Sequence, residues 1–334
     1  MTNKKIILLT GAGFTKNFGG LLAQEMWPMI FNHPEVQRSS ILRPYMLSNF
    51  NYEDIYQALI DDHKLDDSEK VSMQKALLSA YESQEGYWND KDFYLNFMNR
   101  DKLIKNLCQF ISQYVGLFFT LNHDLFFETK LIKELRERTP NILANPTNDI
   151  TDRASLPQEK ELPLKIHTAE KQMLDEKNLP YIKIHGSINW LDSSAGKTIV
   201  IVGGKKKEKI EKEPLLAYYY KKFKEALQAH NQRLLIIGYG FMDNHINNEI
   251  YNGLKNGLKI HIIDTLNPEA FSNKMAQPKY NKNPSKEEID NSVIRELIWL
   301  NMSGYFPLQS LSDLFTTDGV SPLYHKLIEN MDLK

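Results

Sequence analysis

Four short motifs in this sequence combine glycine, amide, imidazole and carboxylate groups, and each follows an apolar run. The motifs are Gly11-Ala-Gly-Phe-Thr15, Thr120-Leu-Asn122-His-Asp124, His185-Gly-Ser187 and Gly238-Tyr-Gly240. A glycine-rich turn lets the backbone approach a ligand's phosphates without a Cβ in the way. A neutral histidine can accept a proton near pH 7, and an asparagine can orient water or a hydroxyl without adding charge. The first motif therefore suggests a nucleotide site, and the others suggest polar chemistry beside it.

The first motif alone does not decide between a nucleotide site and a plain turn. Lys16 occupies the position of the third glycine in the G-x-G-x-x-G pattern of dinucleotide-binding proteins, and no G-K-[ST] follows as in a P-loop. The alternative is a glycine turn that simply ends a buried strand. For His185 and Asn122, the alternative is a pair of turn residues bonded to the nearby backbone.

Other kinds of site have less support from the sequence. Five histidines and acids of these segments match no zinc or two-metal spacing, so a metal site is the weaker interpretation of His123, Asp124, His185, Asp243 and His245. Ser187 has no G-x-S-x-G elbow around it. Cys108 is the only cysteine, which excludes intrachain disulfides and multi-cysteine zinc sites, and its amphipathic surroundings predict a buried thiol.

Hydrophobic patterning predicts the elements that position the motifs. Six apolar runs of strand length cover residues 6–9, 113–120, 181–187, 198–202, 233–241 and 258–264. Helical segments separate most of them, which predicts an α/β fold with a Rossmann-like, mostly parallel sheet and helices on both faces. In such sheets the ligand crevice lies at the carboxyl ends of the strands, where the motifs stand.

A long helical stretch between the first two strands makes the predicted core discontinuous. We expect a Rossmann-like, nucleotide-binding core over residues 1–20 and 113–270, a large helical insertion over 21–112 and a C-terminal helical segment over 271–334. The insertion is either a subdomain with its own small core or a wall beside the nucleotide. The dense apolar run Leu297–Met302 predicts an assembly surface, and hence a homo-oligomer, with plain core packing as the alternative.

Bulk composition excludes some classes of protein. The chain has 334 residues, of which 42% are hydrophobic and 25% charged, and its net charge is −1. Such a charge gives no electrostatic argument for binding nucleic acid or a membrane surface. Its apolar runs are shorter than the roughly 20 residues that a membrane span needs. The N-terminal segment does not fit a secretory signal, which predicts a cytoplasmic location.

The set and order of the four motifs resemble the sirtuin fold and its NAD-consuming relatives, over roughly residues 5–265. Sirtuins carry Gly-Ala-Gly-[Ile/Phe]-Ser at the first turn, Thr-Gln-Asn-Ile-Asp at the second and His-Gly-Ser at the third. The resemblance implies NAD as the substrate, with Asn122 and Asp124 beside nicotinamide and its ribose and His185 as the general base. It also implies a set of residues that contact the cofactor: Gly11, Ala12, Gly13, Phe14, Thr15, Gly238, Tyr239, Gly240 and Asp264.

The sequence differs at several positions from the pattern of the protein-deacylating sirtuins. The four-cysteine zinc module of protein-deacylating sirtuins has no counterpart here, so we expect no zinc module and no bound zinc. The Gly-x-x-Asp-Phe-Arg segment of deacylases is replaced by Phe18–Leu22, and Leu121 and His123 replace glutamine and isoleucine. The turn Gly238-Tyr-Gly-Phe-Met-Asp243 is similar to the Gly-Phe-x-Phe-x-Asp turn of bacterial sirtuin-like NADases, which are anti-phage effectors.

The resemblance therefore implies an NAD+ glycohydrolase that releases nicotinamide and ADP-ribose and depletes NAD in anti-phage defence. It also implies a possible protein partner, namely a sensor or a HerA-type ATPase. Two alternatives stay open: an NAD-dependent protein deacylase or ADP-ribosyltransferase, and a non-enzymatic sensor of NAD or ADP-ribose. Breaking the nicotinamide–ribose bond needs no strong acid, because the pyridine is already a good leaving group, and the transition state places positive charge on the ribose.

Overall fold

The computed structural model describes residues 5–62, 66–89, 100–132, 134–135, 142–144, 179–191, 198–278, 284–316 and 319–333. The main sheet consists of β1 (Ile6–Thr10), β2 (Val115–Thr120), β3 (Ile142–Ala144), β4 (Leu179–Lys183), β7 (Arg233–Ile237), β8 (Lys259–Asp264) and β9 (Gly304–Pro307). Two smaller pairs are β5 (Gly186–Leu191) with β6 (Thr198–Val200), and β10 (Phe315–Thr316) with β11 (Gly319–Val320).

The described helices before the second strand are α1 (Ala12–Lys16), α2 (Ala23–Phe31), α3 (Pro34–Arg38), α4 (Leu42–Ser48), α5 (Tyr52–Asp61), α6 (Asp67–Asn89) and α7 (Arg100–Tyr114). Those after it are α8 (Lys206–Lys212), α9 (Pro214–Gln228), α10 (Asn244–Lys255), α11 (Pro268–Ala276), α12 (Lys286–Asn301) and α13 (Pro322–Asn330). A short π-helix spans Phe127–Leu131, and a 3-10 turn spans Leu311–Asp313.

The main sheet is parallel at every described strand pair, in the order β3-β4-β2-β1-β7-β8-β9. Strand β1 lies at its centre, where Leu8 pairs with Phe118 of β2 on one side and with Leu235 of β7 on the other. The next main-sheet strands along the chain, β2, β3 and β4, lie on one side of β1, and the later strands β7, β8 and β9 lie on the other side. The predicted Rossmann-like α/β fold is confirmed.

Strand β1 shows why helices cover both faces of the sheet. All five of its residues are buried. Successive side chains of a strand point to opposite faces, so Ile6 and Leu8 enter one core and Ile7 and Leu9 enter the other. Helices α7 and α13 pack in the first core, and α9 and α10 pack in the second. The uninterrupted apolar run is therefore the pattern of a strand that no water reaches.

Helices α2 to α6 surround a third core of their own. Ile30, Val36 and Met46 are fully buried there. The same cluster contains Val202, just beyond the β5–β6 hairpin, so the insertion packs against the sheet domain as well as on itself. Pro28 lies inside α2 and the helix continues past it. The domain boundaries given above remain a prediction.

Three predicted elements differ in the structure. The predicted strand 181–187 is broken by a turn at residues 184–185, after which the positive φ of Gly186, +80°, redirects the chain. The predicted strand over 198–202 is shorter and pairs antiparallel with β5 outside the main sheet. The C-terminal segment is not entirely helical, because β9 joins the edge of the sheet beside β8. A four-residue strand between helices carries too short an apolar run to be recognised.

Helix α12 carries part of the predicted assembly surface. Ile298 is fully buried, whereas Leu300 is 67% exposed and Val293 is 49% exposed. The apolar run thus contributes to both the core and the surface, and homo-oligomerisation remains a prediction. Among the described residues, no helix combines the length and apolar character needed to cross a membrane.

Candidate active site

A cleft of about 1410 Å³ opens at the carboxyl ends of the central strands. Residues that follow β1, β2, β4, β7 and β8 line it, including at least one residue of each of the four sequence motifs. The strands on either side of β1 are reached by connections that run in opposite directions, and open α/β sheets bind ligands at such switch points. The insertion contributes Tyr52 and Tyr81 to the walls, and the C-terminal segment contributes Leu308 and Leu311.

The glycines of the first and fourth motifs pack backbone against backbone. The Gly11 amide donates to the carbonyl of Ile237 at 3.1 Å, and the Gly13 amide donates to the carbonyl of Gly238 at 2.9 Å. Gly238 has a φ of +63°, and a Cβ added there would lie 2.3 Å from the Gly13 carbonyl carbon and the Phe14 nitrogen. Gly11, Gly13 and Gly238 are thus required by the contact between the two turns, whatever ligand lies above them.

The side chains of two residues of the first motif turn away from the cleft, and the contact of these residues with the cofactor stays a prediction. The Phe14 ring is buried in the core beside Phe18, Phe118 and Phe126. The Thr15 side chain is also buried, and its hydroxyl donates to the carbonyl of Ala12 at 3.2 Å. Their side chains do not line the cleft, because the single turn of α1 places them on its inner side.

Asn122 joins the second motif to the first. Its Nδ2 donates to the carbonyl of Gly11 at 3.1 Å and to the Thr15 hydroxyl at 3.4 Å. Its backbone amide donates to the Thr120 hydroxyl at 3.2 Å, and Thr120 is itself bonded to Thr10 at 2.9 Å between hydroxyl oxygens. The amide side chain is largely buried at the cleft wall, so its position is fixed before any ligand arrives.

Asp124 lies on the same wall, and its Oδ1 accepts from the backbone amide of Phe126 at 3.1 Å. Burial raises the pKa of its carboxyl to about 6, although the nearby Lys183 ammonium opposes the shift. The group is therefore ionised at neutral pH but close to titration.

Lys183 is a fully buried residue that supports two of the motifs from behind. Its ammonium lies 2.9 Å from Glu128 Oε1 and 2.8 Å from the Ser187 hydroxyl, and it also donates to the carbonyl of Asp124. Ser187 in turn donates to Asn189 Oδ1 at 2.7 Å. One buried cation thus fixes the loop after β2 against the turn after β4, which positions Asp124 near the His185 turn.

His185 contacts a second histidine. The two Nε2 atoms of His185 and His245 are 3.0 Å apart, and both side chains are buried. His185 lines the cleft, whereas His245 stands behind it at the start of α10, against the ring of Tyr220. Burial lowers the pKa of His185 well below its usual value and lowers that of His245 to about 4, although the Asp243 carboxylate opposes both shifts. Both imidazoles are therefore neutral near pH 7.

An ion-pair chain continues from these histidines to the helical insertion. Lys206 Nζ lies 2.8 Å from Asp243 Oδ1 and 2.8 Å from Glu53 Oε2. Burial disfavours the charge on Asp243, yet Lys206 and the two histidines hold the pKa of its carboxyl below the usual value. The lysine thus links the turn after β7, through the start of α8, to helix α5 of the insertion.

The insertion also supplies polar atoms to the cleft wall, beside His123. Tyr81 packs edge-on against the His123 ring, with ring centroids 5.8 Å apart. Burial, with the nearby charges of Lys206 and Lys183, lowers the pKa of His123 to about 3. Among the described residues, neither Gln84 Oε1 nor His123 Nδ1 has a hydrogen-bond partner, although both atoms are buried. These are the atoms of this wall that a polar ligand can satisfy.

Asp264 and its neighbours form the far end of the cleft. Its Oδ1 accepts from the Leu266 amide at 3.0 Å, and Lys274 Nζ lies 3.8 Å from its Oδ2. Asn17 fixes the first loop to the C-terminal segment, since its Nδ2 donates to the Gly13 carbonyl at 2.8 Å and its Oδ1 accepts from the Leu311 amide at 2.8 Å. This end is therefore built from three separate parts of the chain.

The structure brings most of the predicted site residues together. The residues at the cleft are Gly11, Ala12, Gly13, Asn122, Asp124, His185, Gly238, Tyr239, Gly240 and Asp264. Sequence reasoning missed Lys206, Glu53 and Lys183. Lys206 belongs to a lysine- and glutamate-rich run whose composition is typical of a solvent-exposed segment. Glu53 and Lys183 belong to no local sequence motif that would indicate a functional role.

A SIR2-like domain matches residues 116–282. The chain belongs to the SIR2-like family. The matched segment runs from β2 to just beyond α11, so it includes Asn122, His185 and the turn after β7. SIR2-like domains are typically NAD-dependent enzymes that use NAD as a substrate or cosubstrate.

A curated protein of Thermotoga maritima, tRNA-5-methyluridine(54) 2-sulfurtransferase, is 27% identical to this SIR2-like chain over 148 residues. The alignment covers 39% of this chain and 47% of that protein. The SIR2-like chain thus spans about half the length of the curated relative that it matches. The similarity concerns part of each protein and assigns no activity to this chain.

Proposed function

We propose that this SIR2-like protein is an NAD+ glycohydrolase that cleaves the nicotinamide–ribose bond to give nicotinamide and ADP-ribose. The observation that supports the proposal is the convergence of Asn122, His185 and the Gly11–Gly13 turn on one cleft at the switch point of the sheet. In the defence setting that the sequence resemblance implies, this activity would deplete cellular NAD.

Each group at the cleft has a separate role in the proposed hydrolysis of NAD+. The glycines of the Gly11–Gly13 turn let the pyrophosphate lie close to the backbone, and the carboxylate of Asp124 stabilises positive charge that develops on the ribose. The Asn122 Nδ2 group is bonded to Gly11 and Thr15, so Oδ1 is the atom that orients the attacking water.

Hydrolysis requires that the water lose a proton as its oxygen bonds to the ribose carbon. The bond to nicotinamide breaks with its electron pair, which leaves neutral nicotinamide. His185 lines the cleft in its neutral form and accepts the proton through its basic ring nitrogen. Its lowered pKa makes it a modest base but keeps it available at every pH near neutrality.

The test is to incubate the purified protein with NAD+ and to follow nicotinamide and ADP-ribose by chromatography, with and without candidate partner proteins. We expect wild type to turn over NAD+, and we expect His185→Asn and Asn122→Asp to lose about 100-fold or more in rate. His230→Ala, a surface substitution away from the cleft, serves as the matched control and should keep full activity.

Three kinds of outcome would contradict the proposal. Binding of NAD+ without turnover under every condition would indicate a sensor, and full activity of His185→Asn would move the chemistry elsewhere. Transfer of ADP-ribose to protein, or release of an acylated ADP-ribose, would be seen by mass spectrometry and would indicate a transferase or a deacylase.

A further inference from the structure

Three side chains around the histidine pair have the composition and spacing of a metal-ligand set. His185, His245 and Asp243 each offer one ligand atom, and these atoms all lie within 4.8 Å of one another. Two imidazoles and one carboxylate are ligands of divalent first-row transition metals, and a set of three leaves further coordination positions open.

The distance between the two imidazoles fits two ligands of one ion. Nitrogens 3.0 Å apart, each about 2.05 Å from a shared ion, subtend an angle of roughly 94° at that ion. This value is close to the 90° of neighbouring octahedral ligands and somewhat below the tetrahedral angle of about 109°. The same separation fits a hydrogen bond between the rings. The two imidazoles can therefore pass between the metal-free and the metal-bound state with little movement.

Asp243 can complete the set by a small adjustment. Ligand atoms bonded to one ion at about 2.1 Å lie no more than about 4.2 Å apart. The three ligand atoms here already lie within 4.8 Å of one another, so any closing movement of the carboxylate is short. Its side chain is at the start of α10 and retains some exposure, 13%, at the cleft wall. One of its oxygens is bonded to Lys206, and a carboxylate has a second oxygen for the metal.

The charge around the three residues accommodates a cation. Asp243 and Glu53 carry two negative charges against the single positive charge of Lys206, which both of them contact at 2.8 Å. Lys206 still has Glu53 as an ion-pair partner if the Asp243 carboxylate turns towards an ion. His185 and Asp243 line the cleft, so an ion has a path from solvent, while His245 closes the site from behind.

We propose that His185, His245 and Asp243 bind one divalent first-row transition cation of the Zn²⁺ class, and that the bound ion inhibits the enzyme. An ion at Nε2 of His185 requires the ring proton to stand on Nδ1, so neither ring nitrogen keeps a lone pair that can accept the proton of the attacking water. Coordination replaces the hydrogen bond between the rings by two metal–nitrogen bonds, with the ring protons on the Nδ1 atoms. Inhibition rests on the proposed hydrolase activity, whereas binding does not.

This site differs from the alternatives that the sequence left open. It excludes His123 and Asp124, whose atoms are not part of the group of three. It also uses no cysteine, in contrast to the zinc module of protein-deacylating sirtuins. Sequence spacing alone did not indicate the site, because Asp243 lies 58 positions after His185 and only the fold brings them together.

The binding test uses chelator-treated, NAD-free protein and two probes, Zn²⁺ and Co²⁺. We expect one Co²⁺ ion per chain, with visible absorption bands of a nitrogen- and oxygen-ligated ion, and we expect Zn²⁺ to compete with Co²⁺ for the same site. His245→Ala and the nearly isosteric Asp243→Asn should each weaken binding by more than about tenfold, while His230→Ala should not. Circular dichroism checks that each variant is folded. Wild-type binding that equals that of both variants would overturn the site.

The activity test separates this proposal from the proposed function. With NAD+ as substrate, Zn²⁺ should inhibit wild type over the concentration range in which it binds, chelator should restore the rate, and residual activity of His245→Ala should be insensitive to Zn²⁺. Metal binding without any NAD+ turnover would contradict the hydrolase proposal but would still support the proposed metal site. Turnover that Zn²⁺ leaves unchanged at saturating occupancy would overturn the inhibition.

Discussion

At the scale of single residues, burial rather than residue type sets the acid–base behaviour of this site. His123 and His245 have ordinary imidazoles, yet burial holds their pKa values at about 3 and 4. Asp124 is shifted in the opposite sense, to about 6, because its charged form is the one that burial disfavours. The group that titrates nearest neutrality is therefore the carboxylate and not a histidine.

We predict that the acidic limb of the pH–rate profile for NAD+ hydrolysis reflects Asp124. Its carboxyl is protonated below about pH 6 and ionised above it, so the rate should rise as the pH rises through that value. In Asp124→Asn this limb should disappear, because the amide does not titrate, and the remaining rate should be lower and flat. Rates measured from pH 4.5 to 8 test this.

An independent measurement checks the same assignment without activity. The folded-state pKa of about 6 exceeds the ordinary 3.8, so the folded protein binds more protons than the unfolded chain between these values. The stability from this group is present below pH 3.8 and is lost as the pH rises through about 6. Asp124→Asn should remove that decline from the free energy of unfolding, and an unchanged decline would assign it to another group.

At the scale of elements, the site depends on two turns that touch through their backbones. The turn after β1 and the turn after β7 approach so closely that the Gly238 position has no room for a side chain. Gly257, after α10, also has a positive φ, +85°, but among the described residues no atom beyond its chain neighbours lies within 4 Å of where a Cβ would be. Substitutions at the two glycines can therefore distinguish the cost of a positive φ, which both positions share, from the cost of a steric clash, which only Gly238 would have.

We predict that Gly257→Ala costs about 1–2 kcal/mol in the free energy of unfolding, from left-handed backbone strain alone. Gly238→Ala should cost clearly more, because its Cβ would also force the Gly11–Gly13 turn away from β7. It should also abolish NAD+ turnover, whereas Gly257→Ala should keep it. Chemical denaturation and the nicotinamide assay measure both effects. Equal losses in the two variants would show that the turn contact is unimportant.

At the scale of the whole molecule, the cleft is shared by three parts of the chain. The sheet supplies its floor, the insertion supplies a wall through residues 48–53, and the C-terminal segment supplies residues 308 and 310–311. Lys206 bonds the sheet side to Glu53 of the insertion, and Asn17 bonds the first loop to Leu311. A ligand that fills the cleft therefore contacts all three parts at once.

We predict that a non-hydrolysable NAD+ analogue, with a methylene in place of the ribose ring oxygen, stabilises all three parts together. At a concentration of 100 times its Kd the free energy of unfolding should rise by about 2.7 kcal/mol. Hydrogen exchange should slow in residues 48–53 and 308–311 as well as in the first loop. Protection confined to the first loop would show that the insertion is not a wall of the binding site.

The sequence by itself determined the layout of the sheet and the place of the chemistry. Fully apolar strands such as Ile6–Leu9 must be covered on both faces, and glycine and polar residues directly after such strands must lie at one edge of a parallel sheet. These are local patterns, so Asn122, His185 and the Gly238 turn could be assigned to one cleft before any coordinates.

The tertiary structure alone decided which side chains face that cleft and which partners set their charge. Phe14 and Thr15 belong to the motif but turn inward, because the orientation of α1 depends on core packing against β2. Lys206 bridges Glu53 and Asp243, and His185 contacts His245, across separations that no local pattern encodes. Burial and pairing depend on the whole fold, so the pKa values and the candidate metal site could only be found there.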